Sequence, residues 1–167
     1  FAPTHEPLLS RMPFRSPAGE DHNLALPADP LERFEQLLTA LCKADVAFVV
    51  IGGMAAVAQG SSYVTADLDI CYQRQPHNYQ RLSQALHPFH PQLRGAPSNL
   101  PFVLDAATLK AGLNFTVTTT GGDLDLMGEV TGLGDYEAVK AHAEEVELYG
   151  YRVWVLTLAG LIRSKQA

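Results

Sequence analysis

The chain has 167 residues, of which 47% are hydrophobic and 18% charged, with a formal net charge of -6. This size and composition predict one globular domain with enough apolar residues to bury a core. The negative charge argues against a general nucleic-acid-binding protein, because phosphate contacts need clustered Lys and Arg. It leaves a nucleotide-metal substrate open, since Mg2+ offsets the phosphate charge.

The sequence predicts a cytoplasmic protein that does not enter a membrane. No apolar run approaches the roughly 20 residues of a membrane helix, and nothing resembles a secretory leader. The two cysteines, Cys42 and Cys71, are expected to be buried thiols in a reducing cytosol.

Proline content divides the chain into two parts. Residues 1–30 hold six of the eleven prolines and few periodic apolar residues. We therefore predict an extended N-terminal arm over residues 1–29, available to a partner, followed by a single domain over residues 30–167.

The first half of this domain shows alternating helix and strand patterns. Apolar residues at intervals of three and four predict an amphipathic helix over 30–43, with Asp29 as its N-cap. An apolar run at 47–51 predicts a strand, and small helix formers at 54–59 predict a short helix. A second strand is expected at 67–72, and a helix should begin at Pro76 and end before Pro88.

The second half predicts a loop over 88–104, and then a short helix that Asp105 caps and Gly112 ends. Strands at 113–119 and 123–130 should form a hairpin at the dipeptide Gly121-Gly122.

The remaining segments complete a mixed architecture. We expect a helix at 136–142, a hairpin of strands 145–148 and 151–156, and a final helix at 158–165 capped by Thr157. Hairpins together with a strand-helix-strand unit predict an α/β (α+β) fold, a mixed β-sheet with helices packed on it.

Two carboxylates in the second strand point to a metal site. Asp67 and Asp69 alternate with Leu68 and Ile70, so both carboxylates lie on one face of the strand, about 7 Å apart. Like charges in this arrangement repel each other, whereas a divalent cation prefers oxygen ligands and cancels the repulsion.

The order of an apolar strand, Gly52-Gly53, a short helix and then T-x-D-L-D-I resembles the signature of the DNA polymerase beta superfamily of nucleotidyltransferases. In particular it is similar to the small bacterial "minimal" members, several of which work in toxin-antitoxin pairs. The resemblance implies the nucleotidyltransferase fold and a third carboxylate from a neighbouring strand. Asp125 occupies that position in the family's apolar-Asp-apolar-apolar strand. Asp123 competes with it, because both lie on the same face of the strand, although Asp123 follows Gly122 directly as a turn residue would.

The resemblance implies a reaction with two Mg2+ or Mn2+ ions, which neutralise the phosphate charge and activate the acceptor hydroxyl. Asp67 and Asp69 would bridge both ions, and Asp125 would complete the ligand shell of one. The triphosphate of an NTP such as ATP would contact backbone N–H groups, hydroxyl groups and one ammonium, implied at Gly52, Gly53, Ser61, Ser62, Thr65 and Lys165. The three hydroxyl residues fit equally well as turn residues before a strand.

Two departures from the family keep a second function open. Many relatives carry a basic residue where this chain has Tyr63, and they continue beyond the late Lys. Part of the nucleotide pocket is then expected to be absent, or to be supplied by a partner or by the second subunit of a homodimer. The first hypothesis is a nucleotidyltransferase acting on a hydroxyl of a protein, an RNA end or a small molecule. The alternative is a catalytically weak or inactive protein-binding module, either the toxin or the antitoxin of a pair.

Overall fold

The computed structural model of the chain describes residues 30–61, 67–97 and 99–167. The predicted arm at 1–29 and the proposed cap Asp29 lie outside the described residues. Ser62, Tyr63 and Thr65 lie outside them as well.

The helices follow the predicted pattern closely. Their bounds are α1 Pro30–Lys43, α2 Gly52–Ala58, α3 Pro76–Leu86, α4 Ala106–Ala111, α5 Tyr136–Lys140 and α6 Leu158–Gln166, with a 3-10 turn at His87–Phe89. The caps act as expected: Asp105 accepts from the Thr108 N–H, and Thr157 accepts from the Gly160 N–H.

The strands are β1 Phe48–Ile51, β2 Asp67–Tyr72, β3 Gln92–Leu93, β4 Asn114–Thr119, β5 Gly122–Met127, β6 Glu129–Val130, β7 Gly134–Asp135, β8 Ala143–Leu148 and β9 Tyr151–Leu156. Among the described residues, a seven-stranded sheet has the order β3-β4-β5-β2-β1-β9-β8, and β6 pairs with β7 separately. The pairs β2–β5 and β1–β9 are parallel, and the other neighbours are antiparallel. The predicted mixed sheet is therefore confirmed.

The core lies where the helices cover the sheet. Helix α1 buries residues at the predicted helical spacing, namely Phe34, Leu37, Leu38 and Leu41. It contacts both α3 and β5. The apolar even-numbered side chains of β2 and β5, among them Leu68 and Leu124, are fully buried, whereas Asp67, Asp69, Asp123 and Asp125 are only partly buried. Because side chains alternate between the faces of a strand, the apolar core and the acidic residues occupy opposite faces of these two strands.

Three features differ from the sequence-based prediction. The segment 88–104 contains the edge strand β3, which is too short to show a periodic pattern. The β4–β5 hairpin pairs Thr119 with Gly122, so Thr120 and Gly121 form its loop and Asp123 lies inside β5. Strand β5 ends at Met127 and not at the predicted residue 130. Gly128 follows it at a crowded position, where a Cβ would come within 2.8 Å of the Leu113 backbone oxygen and of Arg74.

Burial was predicted for both cysteines and is found for one of them. Cys71 is a buried free thiol, and burial raises its pKa to about 12; Cys42 is only half-buried. Within 30–61, 67–97 and 99–167, no helix is long and apolar enough to cross a bilayer.

A buried amide fixes α3 against the ends of β1 and β2. Asn78 is fully buried. Its Oδ1 accepts from the Ala47 N–H at 2.8 Å, and its Nδ2 donates to the Ala47 carbonyl at 3.1 Å and to the Gln73 carbonyl at 2.8 Å. One side chain thus satisfies three backbone groups.

We expect Asn78→Ala to lower the free energy of unfolding by about 3 kcal/mol, because the partly buried Ala47 N–H and Gln73 carbonyl lose their bonds to Asn78 and a buried side chain is truncated. Urea denaturation measures the loss. The matched control is Gln80→Ala on the exposed side of the same helix, which should change stability by less than about 0.5 kcal/mol. Equal effects of the two substitutions would contradict the role assigned to Asn78.

Candidate functional site

Four aspartates face one another across the parallel pair β2 and β5. The register places Asp67 beside Asp123 and Asp69 beside Asp125. Paired residues of adjacent strands point to the same face, and so do residues two apart on one strand. Two neighbouring pairs of carboxylates therefore lie on one face of the sheet.

The structure brings both candidates for the third carboxylate to the predicted pair. Asp125 pairs with Asp69 across the two strands and is the less exposed candidate, at 20% of its side chain against 39% for Asp123. The interpretation of Asp123 as a turn residue is wrong, because it pairs with Thr118 and Asp67 inside the sheet. Contact with Asp69 favours Asp125 as the partner, and its role stays a prediction.

Gly52 lies directly against this carboxylate cluster. Strand β1 pairs Ile51 with Asp69, and the next residue, Gly52, has φ +64. A Cβ at Gly52 would overlap Asp69 Oδ2. Glycine is therefore required here twice, for the left-handed backbone and for the close approach of the backbone to the carboxylate.

Arg94 supplies the positive charge at the site. Its Nη2 lies 3.0 Å from Asp125 Oδ1, and its Nε lies 3.6 Å from Asp123 Oδ2. The same Nη2 donates a hydrogen bond to the Val117 carbonyl at 3.0 Å. The contact with Asp125 is short but is not aligned as a hydrogen bond, so it acts mainly through charge.

Sequence reasoning missed Arg94. It lies in a Pro-rich segment without periodicity, and its partners are far along the chain. One signal was present: Arg94 is the only Asp, Glu, Lys or Arg between positions 82 and 104. A lone charge in an otherwise uncharged segment suggests a specific partner.

The environment of Asp69 favours its protonated form. Its pKa is raised to about 7, chiefly by burial, then by the hydrogen bond and charge of Asp125, and then by the charge of Asp67. The guanidinium of Arg94 acts in the opposite direction and lowers the pKa. Such a shift is typical of carboxylates that are held together for function.

The other predicted nucleotide ligands are only partly brought to this cluster. Gly53 lies in the first turn of α2, next to Gly52, and Ser61 follows that helix, with its N–H donating to the Ala56 carbonyl at 2.9 Å. Lys165 is exposed in the last turn of α6, where Arg163 Nε donates to the Gly132 carbonyl at 3.2 Å. The roles of Gly53, Ser61 and Lys165 stay predictions.

The donor chemistry of the cluster fits a hard divalent cation. In the described part of the chain, no three His, Cys, Asp or Glu side chains converge on one point as a ready metal site. Nevertheless, three buried polar atoms lack a hydrogen bond among the described residues and lie here together: Asp69 Oδ1, Asp125 Oδ1 and Arg94 Nε. Carboxylate oxygens that accept no hydrogen bond are suitable ligands for Mg2+ or Mn2+. The nearby Arg94 guanidinium shows that the cluster accommodates a positive charge.

Comparisons with known proteins support the fold. No protein-family model matches the chain, and no curated protein matches it in sequence. The crystal structure of a "putative nucleotidyltransferase" from Thermotoga maritima resembles it with a TM-score of 0.58. The match covers 88% of this chain and 89% of the other, at 15% sequence identity. The chain therefore has a nucleotidyltransferase-like fold, as the sequence motifs predicted.

We expect Gly52→Ala to destabilise the protein much more than Gly150→Ala. Both glycines have positive φ, which costs an alanine about 1–2 kcal/mol. Only Gly52 adds an overlap with Asp69, since nothing lies within 4 Å of a Cβ at Gly150. Urea denaturation compares the two variants. Losses of equal size would show that Asp69 does not restrict this position.

The pKa of Asp69 predicts a pH dependence of stability in metal-free protein. A carboxyl with a pKa of about 7 when folded and about 3.9 when unfolded binds more protons in the folded state between these values. Its contribution to stability is complete below about pH 4 and is lost as the pH rises through 7. Asp69→Asn removes this titration, so the variant should gain stability relative to wild type between pH 5 and 8. Urea denaturation in EDTA at several pH values measures the difference, and a constant difference would refute the assignment.

Proposed function

We propose that the chain is a metal-dependent nucleotidyltransferase, which moves a nucleoside monophosphate from an NTP to a hydroxyl acceptor. The observation that carries the proposal is the pairing of Asp69 with Asp125 beside Gly52, at the end of β1, in a nucleotidyltransferase-like fold. Carboxylates are brought together here on a rigid sheet, at a cost in electrostatic repulsion that a structural role alone does not require.

Asp67, Asp69 and Asp125 would hold Mg2+ or Mn2+. The bound ions supply charge neutralisation at the triphosphate and lower the pKa of the attacking hydroxyl. Asp125 lies within the cluster and is the candidate for accepting the proton of the acceptor hydroxyl. Because the carboxylates stand on neighbouring paired strands, their spacing is fixed before substrate binds, and this pre-organisation lowers the barrier to in-line transfer.

The backbone at Gly52 is proposed to receive a phosphate oxygen near the same carboxylates. With no side chain there, the backbone between β1 and α2 approaches Asp69 closely. An anion drawn to these backbone N–H groups would be next to the cation-binding oxygens, which is the proximity that transfer needs. Gly53, Ser61, Ser62, Thr65 and Lys165 are proposed as further triphosphate contacts on the resemblance described above.

A catalytically weak protein-binding module is the second candidate, and the ion pair of Arg94 with Asp125 favours it. A guanidinium that stays permanently on the carboxylate would neutralise the site without a metal. In either case we propose a cytoplasmic protein of toxin-antitoxin type, with a cognate toxin or antitoxin protein as partner and a homodimer as one arrangement. The acceptor hydroxyl is proposed on a protein, an RNA end or a small molecule.

The proposal predicts metal-dependent NTP binding that requires the carboxylates. Isothermal calorimetry with ATP and the other NTPs should detect binding to wild type in the presence of Mn2+ and none in EDTA. Asp69→Asn and Asp125→Asn should each weaken this binding more than about 100-fold, since even outer-shell partners of metals contribute about 10–100-fold.

Asp45→Asn is the matched control, because Asp45 is exposed to 90% in its ion pair with Arg81 and tolerates Asn at its positive φ. It should bind NTP as wild type does. If NTP binding needed no metal, or if the Asp69 and Asp125 variants bound normally, the proposed site would be wrong. Absence of binding at millimolar NTP would favour the binding module.

A further inference from the structure

Arg94 reaches the acidic cluster from the edge of the sheet. It directly follows β3, and its N–H donates to the Thr116 carbonyl of β4 at 3.0 Å. The side chain then passes across β4, where it donates to Val117, and ends at Asp123 and Asp125 of β5. Two hydrogen bonds therefore position Arg94, one from its backbone N–H to the Thr116 carbonyl and one from its Nη2 to the Val117 carbonyl.

The contacts of this guanidinium with the carboxylates are incomplete. A structural Arg-carboxylate pair usually forms two parallel hydrogen bonds. Here Nε is buried without a hydrogen bond among the described residues, and neither approach to Asp123 or Asp125 is aligned as one. The Arg94 side chain is also 29% exposed, so it is not enclosed by the fold. Arg94 therefore acts on Asp123 and Asp125 mainly through its positive charge and not through directed hydrogen bonds.

We propose that Arg94 is a displaceable counter-ion: it offsets the charge of Asp125 and Asp123 before a cation binds, and it is displaced from Asp125 when a divalent cation binds Asp67, Asp69 and Asp125. This inference rests on the proposed function, since it assigns Arg94 a role in loading the same site. It gives Arg94 a role in reducing the repulsion among the four carboxylates of this face. It also explains why Asp125 Oδ1 faces a charge without an aligned hydrogen bond.

A structural Arg94 and a displaceable counter-ion predict different effects of removing Arg94 on stability and on cation binding. A purely structural Arg94 would, when removed, lower stability and weaken cation binding, because the carboxylates would lose their arrangement. A displaceable counter-ion lowers the stability of the cation-free protein when removed, but strengthens cation binding, because no guanidinium competes for the oxygens. The two readouts therefore change in opposite directions only under the proposal.

The test is Mn2+ binding by calorimetry, without nucleotide, to wild type and Arg94→Gln. We expect Arg94→Gln to unfold at a lower urea concentration in EDTA and yet to bind Mn2+ about tenfold more tightly. The matched control is Arg81→Gln, which removes a positive charge paired with the distant, exposed Asp45 and should leave Mn2+ affinity unchanged. Unchanged or weaker Mn2+ binding by Arg94→Gln would overturn the proposal.

Asp125→Asn separates failure of this inference from failure of the proposed function. If wild type binds Mn2+ and the Asp125 variant does not, the metal site stands, and the Arg94→Gln result alone decides the role of Arg94. If neither wild type nor Arg94→Gln binds Mn2+, both proposals are overturned together.

A second measurement does not depend on the folding of Arg94→Gln. The 1H–15N NMR signal of Arg94 Nε can be assigned by its absence in Arg94→Lys, which keeps the charge. Titration of wild type with Mg2+ should shift this signal with the midpoint of calorimetric Mg2+ binding. A signal that stays in place while the site fills would overturn the displacement.

Discussion

Strands β2 and β5 run parallel and in a register that sets Asp69 beside Asp125 and Asp67 beside Asp123. Most of what is unusual in the molecule follows from this pairing. Like charges on neighbouring strands destabilise a sheet, so the rest of the fold must compensate. The opposite face does so with fully buried residues such as Leu68 and Leu124, which fix the register because a slip of one residue would exchange core and acidic faces.

The electrostatic cost is reduced in two different ways on the acidic face. Arg94 brings a positive charge from the edge of the sheet to Asp125 and Asp123. Asp69 lies further from that guanidinium and keeps a raised pKa, so a proton reduces its charge instead. Neither solution satisfies all the hydrogen-bonding atoms. Buried polar atoms without partners are rare in folded proteins, and their concentration at one place is typical of a site arranged for a ligand.

The same constraint connects the site to the motif that precedes it. The chain leaves β1 at Ile51, opposite Asp69, and must turn immediately into α2. Gly52 permits the turn and lets the backbone approach the Asp69 carboxylate closely. The Gly-Gly pair and the Asp-Leu-Asp pair are thus two parts of one structure, which is why their order along the chain was informative.

The sequence by itself determined the local elements and the face that carries Asp67 and Asp69. Hydrophobic periodicity, capping residues and helix-ending Gly or Pro are properties of residues close together in the chain. They were enough to predict α1, α3, α4 and the β8–β9 hairpin. Only the tertiary structure decided the order of the seven strands, the register that sets Asp123 beside Asp67 and Asp125 beside Asp69, and the entry of Arg94 into the site. Strand order and long-range charge pairing depend on contacts between residues far apart in the chain, and no local pattern encodes them. The short strands β3 and β7 were missed for a related reason, since two residues cannot show a period and form only because a partner strand is already in place.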